Sequence, residues 1–175
     1  MPDPFMRPPT ATDGTAVNNL IRLCPPLDTN STYCNLLQCT HFANTSVIAE
    51  LETTPVGFIS AYVIPDRPDT LFVWQVAICE SIRGQGLASK MLAHLLAREH
   101  LSQIQYLETT ITEENTASWK LFQRFSKTNH CELMTETLFD KAIHFDGQHE
   151  SELLVKIGPL SSDISRANHY FPLAR

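Results

Sequence analysis

The residues best placed to do chemistry are Arg83-Gly84-Gln85-Gly86-Leu87-Ala88, where a β-rich apolar run gives way to a helical repeat. Two glycines one residue apart let the backbone take positive φ and come close to a ligand. Backbone N–H groups at the start of a helix face outward, where the macrodipole favours an anion. Arg83 adds a permanent positive charge. Such a turn suits a phosphate or a diphosphate. It is not a Walker loop, because Ala88-Ser89-Lys90 has the wrong order for Gly-Lys-Ser/Thr. Nor is it a dinucleotide fingerprint, because Ser89 stands where the last glycine belongs. The plain alternative is an ordinary strand-to-helix turn with permissive glycines.

The elements that must position this turn can be read from periodicity. Residues 1–9 are proline-rich and are expected as an extended arm entering a short strand. Val17, Leu20, Ile21 and Cys24 recur at helical spacing, and Pro25-Pro26 must end that helix. A second helix is expected over 32–42, with Tyr33, Leu36, Leu37 and Thr40 on one side. Segments 46–51, 56–64 and 71–79 read as strands, divided by turns at 52–55 and 65–69. A long helix follows the glycine turn, with Leu87, Met91, Leu92, Leu95 and Leu96 on its buried face. Then come a strand over 106–112, a helix over 115–125 with Trp119, Phe122 and Phe125 inside, and strands over 133–139 and 153–157. Hairpins followed by strand–helix–strand imply a mixed sheet with helices on its faces, an α+β fold. One domain is expected over 1–158, with a flexible tail over 159–175.

Composition narrows the function classes. The net charge is −6, the opposite sign from a phosphate-backbone binder, so nucleic acid is not an expected partner. Uncharged apolar stretches run only about ten residues where a membrane span needs about 20, so no membrane association is expected. The five cysteines contain no Cys-x-x-Cys and the seven histidines no His-x-x-Glu-His, so no metal is expected. Reduced thiols and the absence of a signal-like first segment lead to a cytoplasmic expectation.

The turn also matches Arg/Gln-x-x-Gly-x-Gly/Ala, and on it the chain resembles the GNAT superfamily of acyl-CoA N-acyltransferases. The next strand supports this, since Leu107-Glu108-Thr109-Thr110-Ile111-Thr112 is followed by Asn115-x-x-Ser118 opening a helix. Longer strings make the chain similar to the diaminobutyrate acetyltransferases within that superfamily. They are Cys24-Pro25-Pro26-Leu27-Asp28-x-Asn30-Ser31-x-Tyr33, Pro68-Asp69-Thr70-x-Phe72-x-Trp74-Gln75-Val76-Ala77, Asn115-x-Ala117-Ser118-Trp119-x-Leu121-Phe122 and His149-x-x-x-Leu153-x-Val155-x-Ile157-Gly158-Pro159.

The resemblance implies a mixed, mostly antiparallel, twisted sheet flanked by helices. It implies acetyl-CoA as cosubstrate and acetyl transfer to the γ-amino group of L-2,4-diaminobutyrate, a step of ectoine biosynthesis under osmotic stress. It also implies a homodimer. The diphosphate would lie on Arg83, Gly84, Gln85, Gly86, Leu87 and Ala88. Backbone groups of Val76, Ala77 and Ile78 would pair with the pantetheine arm like an added strand. Asn115 would reach the cofactor, or serve only as a helix cap. A diammonium substrate needs carboxylates and an aromatic face, for which Asp28, Tyr33 and Trp74 are candidates. Their alternatives are an N-cap, simple packing and a core tryptophan. A base must take the amine proton, with Glu152 the first choice and His149 the second. One departure stands out: the tyrosine that many members place in the last long helix corresponds to Phe122, which has no proton to give. Two other readings remain at this level, a GNAT enzyme for another small amine and a non-catalytic acyl-CoA-binding module.

Overall fold

The computed structural model describes residues 3–161. In chain order the elements are β1 (Phe5–Arg7), α1 (Gly14–Arg22), α2 (Thr32–Gln38), β2 (Val47–Leu51), β3 (Thr54–Ile64), β4 (Arg67–Ile78), α3 (Leu87–Leu96), β5 (Tyr106–Ile111), α4 (Thr116–Thr128), β6 (Glu132–Phe139), α5 (Lys141–Phe145) and β7 (Glu152–Gly158). The strands form one seven-stranded sheet in the order β1-β2-β3-β4-β5-β7-β6. Only β4 and β5 run parallel; every other neighbouring pair is antiparallel. This is the mixed α+β sheet expected from the sequence.

The two faces are covered differently. On one, α3 and α4 lay Met91, Leu92, Leu95, Phe122 and Phe125 against Ile59, Leu71, Val73, Leu107, Val155 and Ile157. Each such buried side chain contributes roughly 1.5–3 kcal/mol. On the other, α1 packs Val17, Leu20 and Ile21 against Ile48, Phe58 and Ala77. The residues of β5 and β7 that alternate with the core positions, among them Glu108, Glu152 and Lys156, face away from α3 and α4. Glu108 is buried there, with Arg67 donating to its two oxygens at 2.6 and 2.8 Å.

Several expectations change. The second helix stops at Gln38 rather than 42, and the Thr40 hydroxyl donates back to the Leu36 carbonyl at 2.8 Å. Its buried face is also different. Asn35 and Gln38 are fully buried, whereas Tyr33 is exposed. The strand turns are shorter than expected. Glu52 and Thr53 turn the chain with positive φ at both, and Pro65-Asp66 forms the next turn. Helix α5 is not among the expected elements, although Asp140 caps it by accepting from the Ala142 and Ile143 N–H groups at 2.8 and 3.0 Å. The last strand, β7, enters between β5 and β6, so the final two strands do not simply extend the sheet in order. Of the tail over 159–175, Leu160 is buried and donates its N–H to the Gln105 carbonyl at 2.7 Å, while 162–175 lie outside the described residues. No helix among the described residues is long and apolar enough to cross a membrane.

Candidate active site

The site begins with a one-residue slip in register. Ser60 opposes Gln75 and Ala61 opposes Val73, which leaves Trp74 as an extra residue in β4. Such a bulge bends its strand and re-aims side chains. Before it, Leu71 and Val73 face the α3/α4 core; after it, Val76 and Ile78 do. Trp74 and Gln75 both turn to the opposite face. The bend also ends the pairing with β5, which holds only from Thr70 to Phe72. Beyond Phe72 the two strands separate, leaving a gap with an unpaired β4 edge.

The glycine turn stands at the mouth of this gap. Gly84 and Gly86 have φ of 77° and 80°, conformations that only glycine adopts freely, and a Cβ added at either would meet nothing within 4 Å. Among the described residues, the N–H groups from Gly84 to Ser89 donate to no backbone carbonyl. The result is an open row of donors at the start of α3. A cleft of about 410 Å³ runs from this turn along β4, within the roughly 300–1,000 Å³ of small-molecule sites. Val76, Ile78, Arg83, Gly84, Gly86, Leu87, Ala88 and Asn115 all line it. Two expected residues do not. The Ala77 side chain is buried in the α1 cluster, so only its backbone, the part expected to pair with the pantetheine arm, belongs to the β4 edge. Gln85 turns to the far side of the loop, lining a hollow of about 70 Å³ with Asp3, Pro4 and Lys90.

Asn115 is held at the start of α4. Its side chain accepts from the Ser118 N–H at 3.1 Å, capping α4, and it lines the cleft. Arg83 donates from Nε to the Ile78 carbonyl at 2.9 Å, and the Cys24 thiol approaches the same oxygen at 3.3 Å. Ile78 therefore already uses its carbonyl, tying the loop to the end of β4. Two further cations, Lys120 and Arg124, line the cleft from α4 with no acidic residue among the lining. Sequence reading missed them. Their i, i+4 spacing on the polar face of α4 was the available signal, but only packing shows which neighbour that face meets. Phe122 is buried in the core and does not line the cleft.

The acceptor candidates on the strands, Trp74 and Glu152, face away from α3 and α4. Trp74 is 42% exposed and stands edge-on to Tyr62 with ring centroids 6.4 Å apart, so it is not a core tryptophan. Burial pushes the Tyr62 phenol up from its ordinary value, keeping it neutral. Asp28 is not a helix cap, since Ser31 caps α2 by accepting from the Cys34 N–H at 3.1 Å. The Asp28 side chain is 81% exposed and its Oδ2 lies 3.6 Å from Nε2 of His149. The Nδ1 of His149 is 2.7 Å from the Glu150 carbonyl. A carbonyl only accepts, so Nδ1 carries the proton and Nε2 is the atom left for proton transfer. Glu152, at the start of β7, faces the same side of the sheet. Among the described residues its carboxylate has no hydrogen bond or ion pair. Tyr33, in the first turn of α2, is 69% exposed.

A sheet parted beside a bulged strand, with a glycine-rich turn and a helix N-terminus at the opening, defines an acyl-CoA N-acyltransferase architecture. The family model described as Acetyltransferase (GNAT) family matches residues 15–126. The chain is 53% identical over 154 residues to L-2,4-diaminobutyric acid acetyltransferase of Methylotuvimicrobium alcaliphilum, covering 88% of this chain and 90% of that protein. It is 49% identical to the protein of the same name from Vibrio cholerae, covering 89% and 90%. Among solved structures, it is similar to the diaminobutyrate acetyltransferase of Paenibacillus lautus in complex with its substrate L-2,4-diaminobutyric acid and coenzyme A. That match has a TM-score of 0.86, 40% identity, and covers 90% of this chain and 95% of that one. Ard1 from Thermoplasma volcanium shares the fold alone, at a TM-score of 0.71 and 11% identity, with 91% and 100% covered. The chain belongs to the GNAT family of acetyltransferases and, within it, to the L-2,4-diaminobutyric acid acetyltransferases.

Proposed function

We propose that this protein transfers the acetyl group of acetyl-CoA to the γ-amino group of L-2,4-diaminobutyrate, releasing coenzyme A and N-γ-acetyl-diaminobutyrate. The observation that carries this reading is the gap between β4 and β5. A cation-lined cleft runs along β4 beside it, and Trp74 turns to the opposite face of the same strand. The cleft fits coenzyme A: unpaired N–H groups and Arg83, Lys120 and Arg124 suit its phosphates, and the open β4 edge suits its pantetheine amides. Trp74 and Asp28 suit a substrate with two ammonium groups, through a cation–π face and an exposed carboxylate. Tyr33, exposed in the first turn of α2, offers its hydroxyl as a further substrate contact.

The attacking amine must first lose a proton. With an ordinary value near 10.4, its neutral form at pH 7 lies roughly 4–5 kcal/mol uphill. Glu152 takes that proton, directly or through water, because its carboxylate is otherwise uncommitted; His149, with Nε2 held beside Asp28, is the second group able to do so. The amine then attacks the thioester carbonyl, an N–C bond forms as the C–S bond breaks, and backbone N–H groups near Val76 stabilise the oxyanion. Phe122 cannot protonate the departing thiolate. A thiol with an ordinary value near 8.5 leaves unassisted near pH 8–9.

The enzyme acts in the cytoplasm, consistent with five free cysteines. Its product feeds ectoine synthesis under osmotic stress. A second copy of the chain docks on the β6 edge, where Met134, Leu138, Phe139 and the α5 residue Ile143 are exposed; light scattering should give twice the chain mass. The decisive assay incubates purified protein with acetyl-CoA and diaminobutyrate, follows free thiol, and compares kcat/KM with ornithine, lysine and putrescine. No thiol above background, or equal kcat/KM for all four amines, overturns the proposal.

A further inference from the structure

The loop from Asp28 to Asn30 carries a proposed substrate carboxylate, yet its main chain makes no backbone–backbone hydrogen bond among the described residues. Side chains hold it instead. Gln75 Nε2 donates to the Asp28 carbonyl at 2.8 Å, and Gln75 Oε1 accepts from Asn30 Nδ2 at 2.8 Å. Asn18 Nδ2 donates to the Asn30 carbonyl and to Asn35 Oδ1, both at 2.8 Å. Asn35 Nδ2 in turn donates to Gln38 Oε1 at 2.8 Å. Asn35 and Gln38 are fully buried and Gln75 is 8% exposed. A chain of carboxamides therefore runs from the buried face of α2 through the loop to β4.

The bulge explains why Gln75 can do this. Without the extra residue, strand alternation would send Gln75 toward the α3/α4 core, beside Leu71 and Val73. With it, Trp74 and Gln75 share a face, so one slip in register exposes the aromatic ring and fastens the loop beside it. A buried carboxamide is a costly core residue unless both its ends are bonded. Here both ends are bonded to one loop, at two points flanking Thr29.

We propose that Gln75 is a positioning residue for substrate recognition: it fixes the Asp28 loop in register with Trp74, so that the Asp28 carboxylate meets a substrate ammonium. This rests on the acceptor reading above and adds the group that sets its geometry. Gln75 itself touches no reacting atom.

The test is a KM-against-kcat split with a double-mutant cycle. Gln75→Leu keeps the volume but removes both bonds, and should raise KM for diaminobutyrate by about tenfold. KM for acetyl-CoA and kcat should stay within about twofold of wild type. In the Asp28→Asn background, Gln75→Leu should add less than about twofold, because it acts through Asp28. If Gln75→Leu does not fold, Asn30→Ala, which cuts the loop's own bond to Gln75, carries the same prediction. Equal rises in both KM values, a drop in kcat alone, full additivity with Asp28→Asn, or an unchanged KM overturns the proposal. Wild-type protein that fails to acetylate diaminobutyrate overturns the substrate reading instead, so the two failures are distinguishable.

Discussion

The loop assignment can be tested at Gly86 by separating the stability of the protein from its affinity for coenzyme A. Gly86 is the N-cap of α3, with φ of 80° and ψ of 8°, and an added Cβ would meet nothing within 4 Å. In Gly86→Ala there is accordingly no clash within the protein, only the left-handed conformation of an L-residue, worth about 1–2 kcal/mol. For a chain of this size that lowers Tm by roughly 2–8 °C. Binding should suffer much more. The new methyl group stands where a diphosphate must approach the N–H row, and each charge-assisted hydrogen bond lost there is worth about 1.5–3 kcal/mol. One lost bond predicts affinity for coenzyme A down by about tenfold to a hundredfold. Calorimetric titration with coenzyme A and thermal unfolding without ligand give the two numbers. Gly158→Ala is the opposite control. Its Cβ would meet the Gln105 carbonyl oxygen at 2.7 Å, so stability should fall sharply while folded molecules keep their affinity. Gly86→Ala protein that binds coenzyme A within twofold of wild type would refute the placement of the diphosphate at this turn.

Glu152→Gln should lower kcat by about 10²–10⁴-fold with coenzyme A affinity unchanged; a kcat within threefold of wild type removes Glu152 as the base. Trp74→Ala should raise KM for diaminobutyrate by a factor between about 2 and 30, the range set by a cation–π contact of about 0.5–2 kcal/mol, and steady-state kinetics with both substrates varied checks it. Acid unfolding should reveal the Arg7–Asp13 pair. Hydrogen bonds from Arg7, at 2.8 and 2.9 Å, lower the Asp13 carboxyl from 3.8 to about 2. A carboxyl lowered on folding stabilises the folded state above its unfolded value, so about 2 kcal/mol is present above pH 4 and is lost as pH falls toward 2. Denaturant titrations of wild type and Asp13→Asn should show a stability gap at pH 7 that narrows across this window; a constant gap refutes the assignment.

Much of the site was legible locally. The two glycines of the turn, the apolar stripe of α3 and the cap at Asn115 each depend on residues within a few positions of one another. Other features were misread for a consistent reason. The spacing in α2 points to an apolar buried side through Tyr33, Leu36 and Leu37, but its fully buried residues are Asn35 and Gln38. Polar residues read as surface unless something inside the fold takes their hydrogen bonds, and here the partners are Asn18, Asn30 and Gln75. Lys120 and Arg124 line the cleft, and only the packing of α4 beside the glycine turn shows it.

Short stretches of residues encode the pieces: a glycine turn able to hold an anion, the helices and strands on either side of it, and strings specific enough to indicate a family. These follow from short-range rules of backbone conformation, periodicity and capping. How the pieces meet depends on long-range pairing. It placed Trp74 as the extra residue of β4, parted β4 from β5 beyond Phe72, inserted β7 between β5 and β6, and set Asp28 3.6 Å from His149. Strand register and order are settled by pairing between distant segments, and a slip of one residue reverses which face every later side chain occupies.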